Sequence, residues 1–241
     1  MKEHLSVATL LIRLKMKWVL ITLACIPLIT LPVYWLFFTG ESVPSFSVGA
    51  GHILFLVIFA AGSAMVAMEC SGMLFAKDQQ RYMFSRLQIS ERMVLVWNIA
   101  VCTLFMLMLW QVEIITLGAA GLIHNSTRWN QGGPQDVVAS LYYITPYRNV
   151  IPTFNAGGWL MGILRTIAAG VACGCISMFG GKSASRGVGI ITLILMAVAF
   201  LIGMRTEVVF FLVLAMVTTI VLTVKHLQNG KERTEDETTD C

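Results

Sequence analysis

Residues 94–123 read VLVWNIAVCTLFMLMLWQVEIITLGAAGLI, thirty positions with one charged residue, Glu113. A helix of about 20 apolar residues crosses the roughly 30 Å hydrocarbon core of a bilayer. This stretch is therefore a membrane span with turns to spare, and its last turns lie at or beyond the interface. No soluble domain of this size has the surface to hide such a run.

Five further apolar runs flank it, at 18–38, 52–75, 158–179, 187–203 and 207–224. The fifth span is short, and spans five and six read as a tight hairpin turning at Met204–Glu207. Pro27 and Pro32 kink the first span, which neighbouring helices tolerate. That first run is long, lacks a small-x-small cleavage site and ends in Tyr34–Phe38, so it reads as a retained anchor and not a signal peptide. The composition agrees. Of 241 residues, 57% are hydrophobic and 12% charged, about half the charged fraction of ordinary soluble domains. The fold class expected is an all-α integral membrane protein with six transmembrane helices. Residues 1–228 form a single six-span domain, and 229–241 (NGKERTEDETTDC) form a disordered cytoplasmic tail.

Orientation follows from the basic residues. With the N-terminus inside, thirteen of the seventeen Lys and Arg fall on the cytoplasmic side, among them Arg13, Lys15, Lys17, Lys77, Arg81, Arg86 and Arg92. Only Arg128, Arg148 and Arg205 fall outside, and Arg165 stays within a span. This split predicts that both termini are cytoplasmic. The net charge of +4 is thus a topology signal and not a nucleic-acid footprint. Residues 5–17 set Leu5, Ala8, Leu11 and Ile12 against Arg13, Lys15 and Lys17, the pattern of a short amphipathic interfacial helix on the inner leaflet. The outer segment 124–157 is broken by Gly132, Gly133, Pro134, Pro146 and Pro152, and its stretch 137–151 carries apolar and Tyr residues suited to the outer interface.

Catalytic chemistry is not written in these residues. Gly181-Lys182-Ser183 resembles the end of a phosphate-binding loop, but Ile176 stands where that motif needs its first glycine and a span, not a strand, precedes it. His4, His52, His124 and His226 have no metal-ligand spacing. Five of the six cysteines lie in apolar runs, where a thiol is a small packing residue, and Cys241 is in the tail. Asn125-Ser126-Thr127 matches a glycosylation sequon that has meaning only in a secretory-pathway host. No internal repeat of the kind that builds many secondary transporters is visible.

Two constellations remain. Glu113 and Arg165 lie in antiparallel spans, both in the outer half of the bilayer, where either charge alone costs at least about 2.5–3.5 kcal/mol near the centre. A Glu113–Arg165 pair joined by Gln111 lowers that cost, as a structural clamp or as the lining of a substrate path. Glu69, near the cytoplasmic end of span two, reaches toward the interface. The second constellation is the cytoplasmic segment 76–92, AKDQQRYMFSRLQISER. Asp78 caps a short helix through about Leu87, with Tyr82, Met83 and Phe84 as apolar knobs among Arg81 and Arg86. Ser90 then caps span three, with Glu91 in its first turn. Aromatic residues beside arginines form a docking surface.

Six spans with both termini inside, a basic amphipathic start and a helix between spans two and three resemble the ABC-2-type permeases of ATP-binding-cassette transporters. Residues 82–92 look like the second cytoplasmic connection of that family, where a coupling helix precedes a Leu-x-x-Ser-Arg-like step, and Trp110-Gln111 is similar to small Firmicutes-type members. One feature departs: the family often carries re-entrant helices between spans five and six, where this chain has only Met204–Glu207. The resemblance implies a permease of an exporter in the bacterial cytoplasmic membrane, paired with a second permease, identical or related. A separate ATPase subunit would bind ATP and Mg, and the chain itself would hold no cofactor. Asp78, Arg81, Tyr82, Met83, Phe84 and Arg86 would then transmit ATPase motion. Hydrophobic peptides (antimicrobial peptides among them), lipids and drugs all suit such a path as cargo. The competing expectation is a membrane-embedded assembly or sensor subunit that binds a partner without moving a solute.

Overall fold

The computed structural model describes residues 2–38, 50–71, 90–127, 150, 156–178, 190–191, 193–194 and 213–225. All elements among them are helical: α1 (Lys2–Phe38), α2 (Ala50–Cys70), α3 (Glu91–Thr127), α4 (Ala156–Met178) and α5 (Val213–Lys225). Three stretches are long and apolar enough to cross a membrane, Ala8–Val33 in α1, Arg92–Ala120 in α3 and Ala156–Ser177 in α4. The chain is a helical membrane protein. α2 and α5 cover parts of the expected second and sixth spans, and most of the expected fifth span and the tail 229–241 lie outside the described residues.

α3 begins where the sequence places its cap. Ser90 precedes the first turn, and its carbonyl accepts the N–H groups of Met93 and Val94. The start of the chain differs from expectation. Residues 5–17 do not form a separate interfacial helix; they continue without a break into the first span, giving 37 helical residues, about 55 Å of helix. No glycine or proline occurs between Lys2 and Ile26 to turn the chain, and one face is buried from Leu11 onward. Leu11, Lys15, Val19, Leu23 and Ile26 follow each other at three- and four-residue steps along that face. α1 then runs on through Pro27 and Pro32.

The core lies where α3 meets α1, α2 and α4. Its centre is Val101, Cys102, Phe105, Leu109 and Trp110 of α3, packed with Leu23 and Ile26 of α1, Phe59 and Val66 of α2, and Ala168 and Cys173 of α4. The α3–α4 contact depends on small side chains. Gly162, Thr166, Gly170 and Gly174 recur every four residues along α4. A Cβ at Gly170 would fall closer than 3.0 Å to the backbone N and Cα of Thr103, and one at Gly174 would meet the Cα of Ile99 at 2.8 Å. At Gly162 the space is filled by the Trp110 ring. Between membrane helices there is little hydrophobic drive, so close backbone approach over such a ridge supplies the packing energy. The same argument holds where Gly62 of α2 admits the Ile26 side chain of α1.

Gly170→Ala is expected to destabilise the purified protein by about 1–3 kcal/mol, because its new methyl meets backbone and not a movable side-chain tip. Leu28→Ala, at a position 70% exposed on α1, should change stability by less than about 0.5 kcal/mol. Thermal unfolding in detergent compares the two.

Candidate functional site

Four acidic or basic side chains are buried among the described residues: Lys15, Glu69, Glu113 and Arg165. They fall into two polar regions of the bundle.

The first centres on Lys15, whose Nζ donates to the Cys70 carbonyl at 2.6 Å, to Asn98 Oδ1 at 2.8 Å and to Cys102 Sγ at 3.4 Å. An ammonium has three N–H donors and no acceptor, so these three partners satisfy it fully. The geometry also explains why a lysine is tolerated there. Cys70 is the last residue of α2, and the final carbonyls of a helix have no partner within it. A cation at that end satisfies a carbonyl and faces the negative end of the helix dipole. Asn98 relays the contact to α4, with Nδ2 donating to the Gly174 carbonyl at 2.8 Å and to Ser177 Oγ. Its carboxamide orientation is set by these partners, oxygen toward Lys15 and nitrogen toward α4. Cys102 Sγ also lies 3.5 Å from the Cys70 carbonyl.

Glu69 is next to Cys70 on α2. The sequence reading lets it reach the interface, but it is only 2% exposed. Thr22 of α1 donates to its Oε1 at 2.8 Å, and Oε2 has no hydrogen-bond partner among the described residues. The face of α1 that buries Lys15 also brings Thr22 against α2, so this end of α2 is roofed by protein.

The second region holds Glu113 and Arg165, 6% and 8% exposed. They lie close enough for their charges to interact. Ser63 of α2 completes the contact from a third helix: its Oγ is 2.8 Å from both Glu113 Oε1 and the Phe59 carbonyl, so one hydroxyl proton serves two acceptors. Gln111 does not join them. Two residues along a helix turn the side chain through about 200°, and Gln111 is exposed on the opposite side of α3. The neighbouring Trp110 is buried, donates Nε1–H to the Val150 carbonyl at 3.0 Å and sits 5.5 Å from the Trp159 ring at 58°.

Asp78, Arg81, Tyr82, Met83, Phe84 and Arg86 lie outside the described residues. Among those described, no group of three or more His, Cys, Asp and Glu is placed to hold a metal ion. Lys15, Asn98, Thr22 and Ser63 are polar residues that the sequence reading did not select. Two signals for them existed: Lys15 lies four residues from both Leu11 and Val19, and Asn98 interrupts an apolar run.

Lys15→Met removes the donor for a helix-terminal carbonyl and for Asn98, and should cost about 2–6 kcal/mol, from an unsatisfied-group penalty of about 1–3 kcal/mol each. Combined with Asn98→Leu, it should show a coupling of about 0.5–3 kcal/mol in a thermal-unfolding cycle. Glu113→Gln should be tolerated better when Arg165→Met is also present; strict additivity would mean that the two charges do not support each other. Compared with known proteins, the chain matches no family model, no curated protein and no solved structure, and its candidate site is defined by these side chains alone.

Proposed function

We propose that this chain is the transmembrane permease subunit of an ATP-binding-cassette-type exporter, with a six-span topology and both termini in the cytoplasm of a bacterial cell. A separate ATPase, which binds ATP and Mg, docks on the segment containing Asp78, Arg81, Tyr82, Met83, Phe84 and Arg86. A second permease, identical or related, completes the path. The observation that carries this reading is the burial of Lys15, Glu69, Glu113 and Arg165 inside an apolar bundle. Each such group costs up to about 2.5–3.5 kcal/mol at the bilayer centre before pairing and less toward its edges, and ionisable residues held inside a membrane bundle commonly mark a substrate or ion path.

Their placement supports a path. Asn98, bonded to Lys15, and Glu113 are fifteen residues apart on α3, about 22 Å along the helix. The polar groups therefore stand near both ends of the hydrocarbon core, with Phe105 and Leu109 buried between them. A bundle that is polar at its ends and apolar at its middle suits amphiphilic or hydrophobic cargo once its helices part. Binding and release of ATP by the partner would switch the helices between two packed arrangements, and the close α3–α4 contact makes that pair move as one body.

Tyr82→Ala combined with Phe84→Ala should leave membrane insertion intact and uncouple transport from ATP hydrolysis. Efflux of a hydrophobic fluorescent dye from cells and ATP hydrolysis by the purified complex measure the two activities. Normal transport in the double variant would remove the docking assignment. Copurification of the chain without any ATPase would replace the permease reading with that of an assembly or sensor subunit.

A further inference from the structure

α3 is surrounded by α1, α2 and α4 over most of its girth, and its exposed residues form one narrow stripe. From the middle of the helix onward that stripe is Leu104, Met108, Gln111, Ile115, Gly118 and Leu122, at steps of four, three, four, three and four. These steps average one α-helical turn each, so the six residues share a single continuous face of the helix. The stripe carries no charge, so two identical stripes meet without repulsion. A Cβ at Gly118 would meet nothing within 4 Å, so the stripe has an open notch where another backbone can approach.

Gln111 is the residue that lipid does not explain. It is exposed and makes no hydrogen bond among the described residues. Within the apolar stretch Arg92–Ala120 it sits five residues past the midpoint, about 7.5 Å from the bilayer centre and about as far again from the edge of the hydrocarbon. A carboxamide offers two donors and an acceptor, and acyl chains satisfy none of them.

We infer that the Leu104–Leu122 stripe of α3 is the surface on which two copies of this chain meet, with Gln111 of each paired to Gln111 of the other across a two-fold axis along the membrane normal. Two copies inserted with the same orientation place their α3 helices parallel, and each position on the axis then meets itself. A carboxamide is self-complementary: the N–H of one donates to the oxygen of the other, and the reverse. A lone polar residue in an apolar seam is thereby satisfied without any second polar residue on the stripe, and it sets the register of the pair. A different partner would need its own polar group at the same depth. This deepens the reading above by giving the surface for the pairing of two permeases, and it rests on that reading for the pairing alone.

The test is oxidative cross-linking in native membranes with copper phenanthroline, using the full chain with single added cysteines and the unmodified chain as background. Gln111→Cys, Met108→Cys and Ile115→Cys should give a covalent dimer above that background, and Val112→Cys, on the flank, should not. Independently, Gln111→Leu should weaken self-association in proteoliposomes, read by energy transfer between labelled copies, by about 3- to 30-fold, with Gln111→Asn recovering part of it. Cross-linking at Val112→Cys but not Gln111→Cys, cross-linking to a different protein, or unchanged self-association in Gln111→Leu would overturn the surface. ATPase copurification is read on the same samples. No covalent dimer at Gln111→Cys with the ATPase still bound removes this surface and leaves the permease reading intact, and a covalent dimer there without ATPase does the opposite.

Discussion

The Lys15 ammonium is the contact on which the arrangement of the bundle depends. Through the Cys70 carbonyl, Asn98 and Cys102 it touches α2 and α3 directly, and through Asn98 it reaches Gly174 and Ser177 of α4. One side chain thus fixes the relative height of four helices. In hydrocarbon a polar group has no water to fall back on, so each of these groups is held in place by the absence of any alternative. Sliding α1 along its neighbours by one turn would strand the ammonium, the α2 terminal carbonyl and the Asn98 oxygen together.

With height set by Lys15, separation is set by glycine. The ridge Gly162–Gly174 lets α4 lie directly on the backbone of α3 at Thr103 and Ile99, and Trp110 fills the wider space at Gly162. The two devices act on different coordinates. Hydrogen bonds choose the register and small residues choose the distance. Together they leave the second polar region, Ser63, Glu113 and Arg165, assembled from three helices. Rigid helices carrying polar groups at both ends of an apolar bundle are well suited to switching as bodies, because interfaces packed at backbone contact have discrete arrangements.

Several features were legible in the primary structure because they depend on neighbours along the chain. Ser90 before Glu91 marks the start of α3, and the apolar runs mark the long helices. Glu113 and Arg165 stood out because a charge in such a run has few places to go. The misreadings share a cause. By charge Lys15 belongs with Arg13 and Lys17 among the basic residues of the cytoplasmic side, yet Arg13 and Lys17 are exposed and Lys15 is 1% exposed. Arg13 and Lys17 are four residues apart and share one face of the helix, Lys15 between them projects to the opposite face, and charge alone does not say which face meets protein. Removing Lys15 from the inside count still leaves twelve basic residues against three, so the expected orientation does not depend on it. Gln111 was grouped with Glu113 by proximity in sequence, and the helix turns it to the other side.

The chain on its own determined that this is a helical membrane protein, where α3 begins, and that some charges must be buried. These are consequences of hydropathy and local capping, which act over a few residues. Only the tertiary structure decided which charges those are and what satisfies them. The Cys70 carbonyl that receives Lys15 is a backbone atom fifty-five positions away, and a backbone carbonyl leaves no mark in the identity of its residue. Glycine is equally silent: Gly170 and Gly174 became contact points only because Thr103 and Ile99 arrive opposite them in an antiparallel helix.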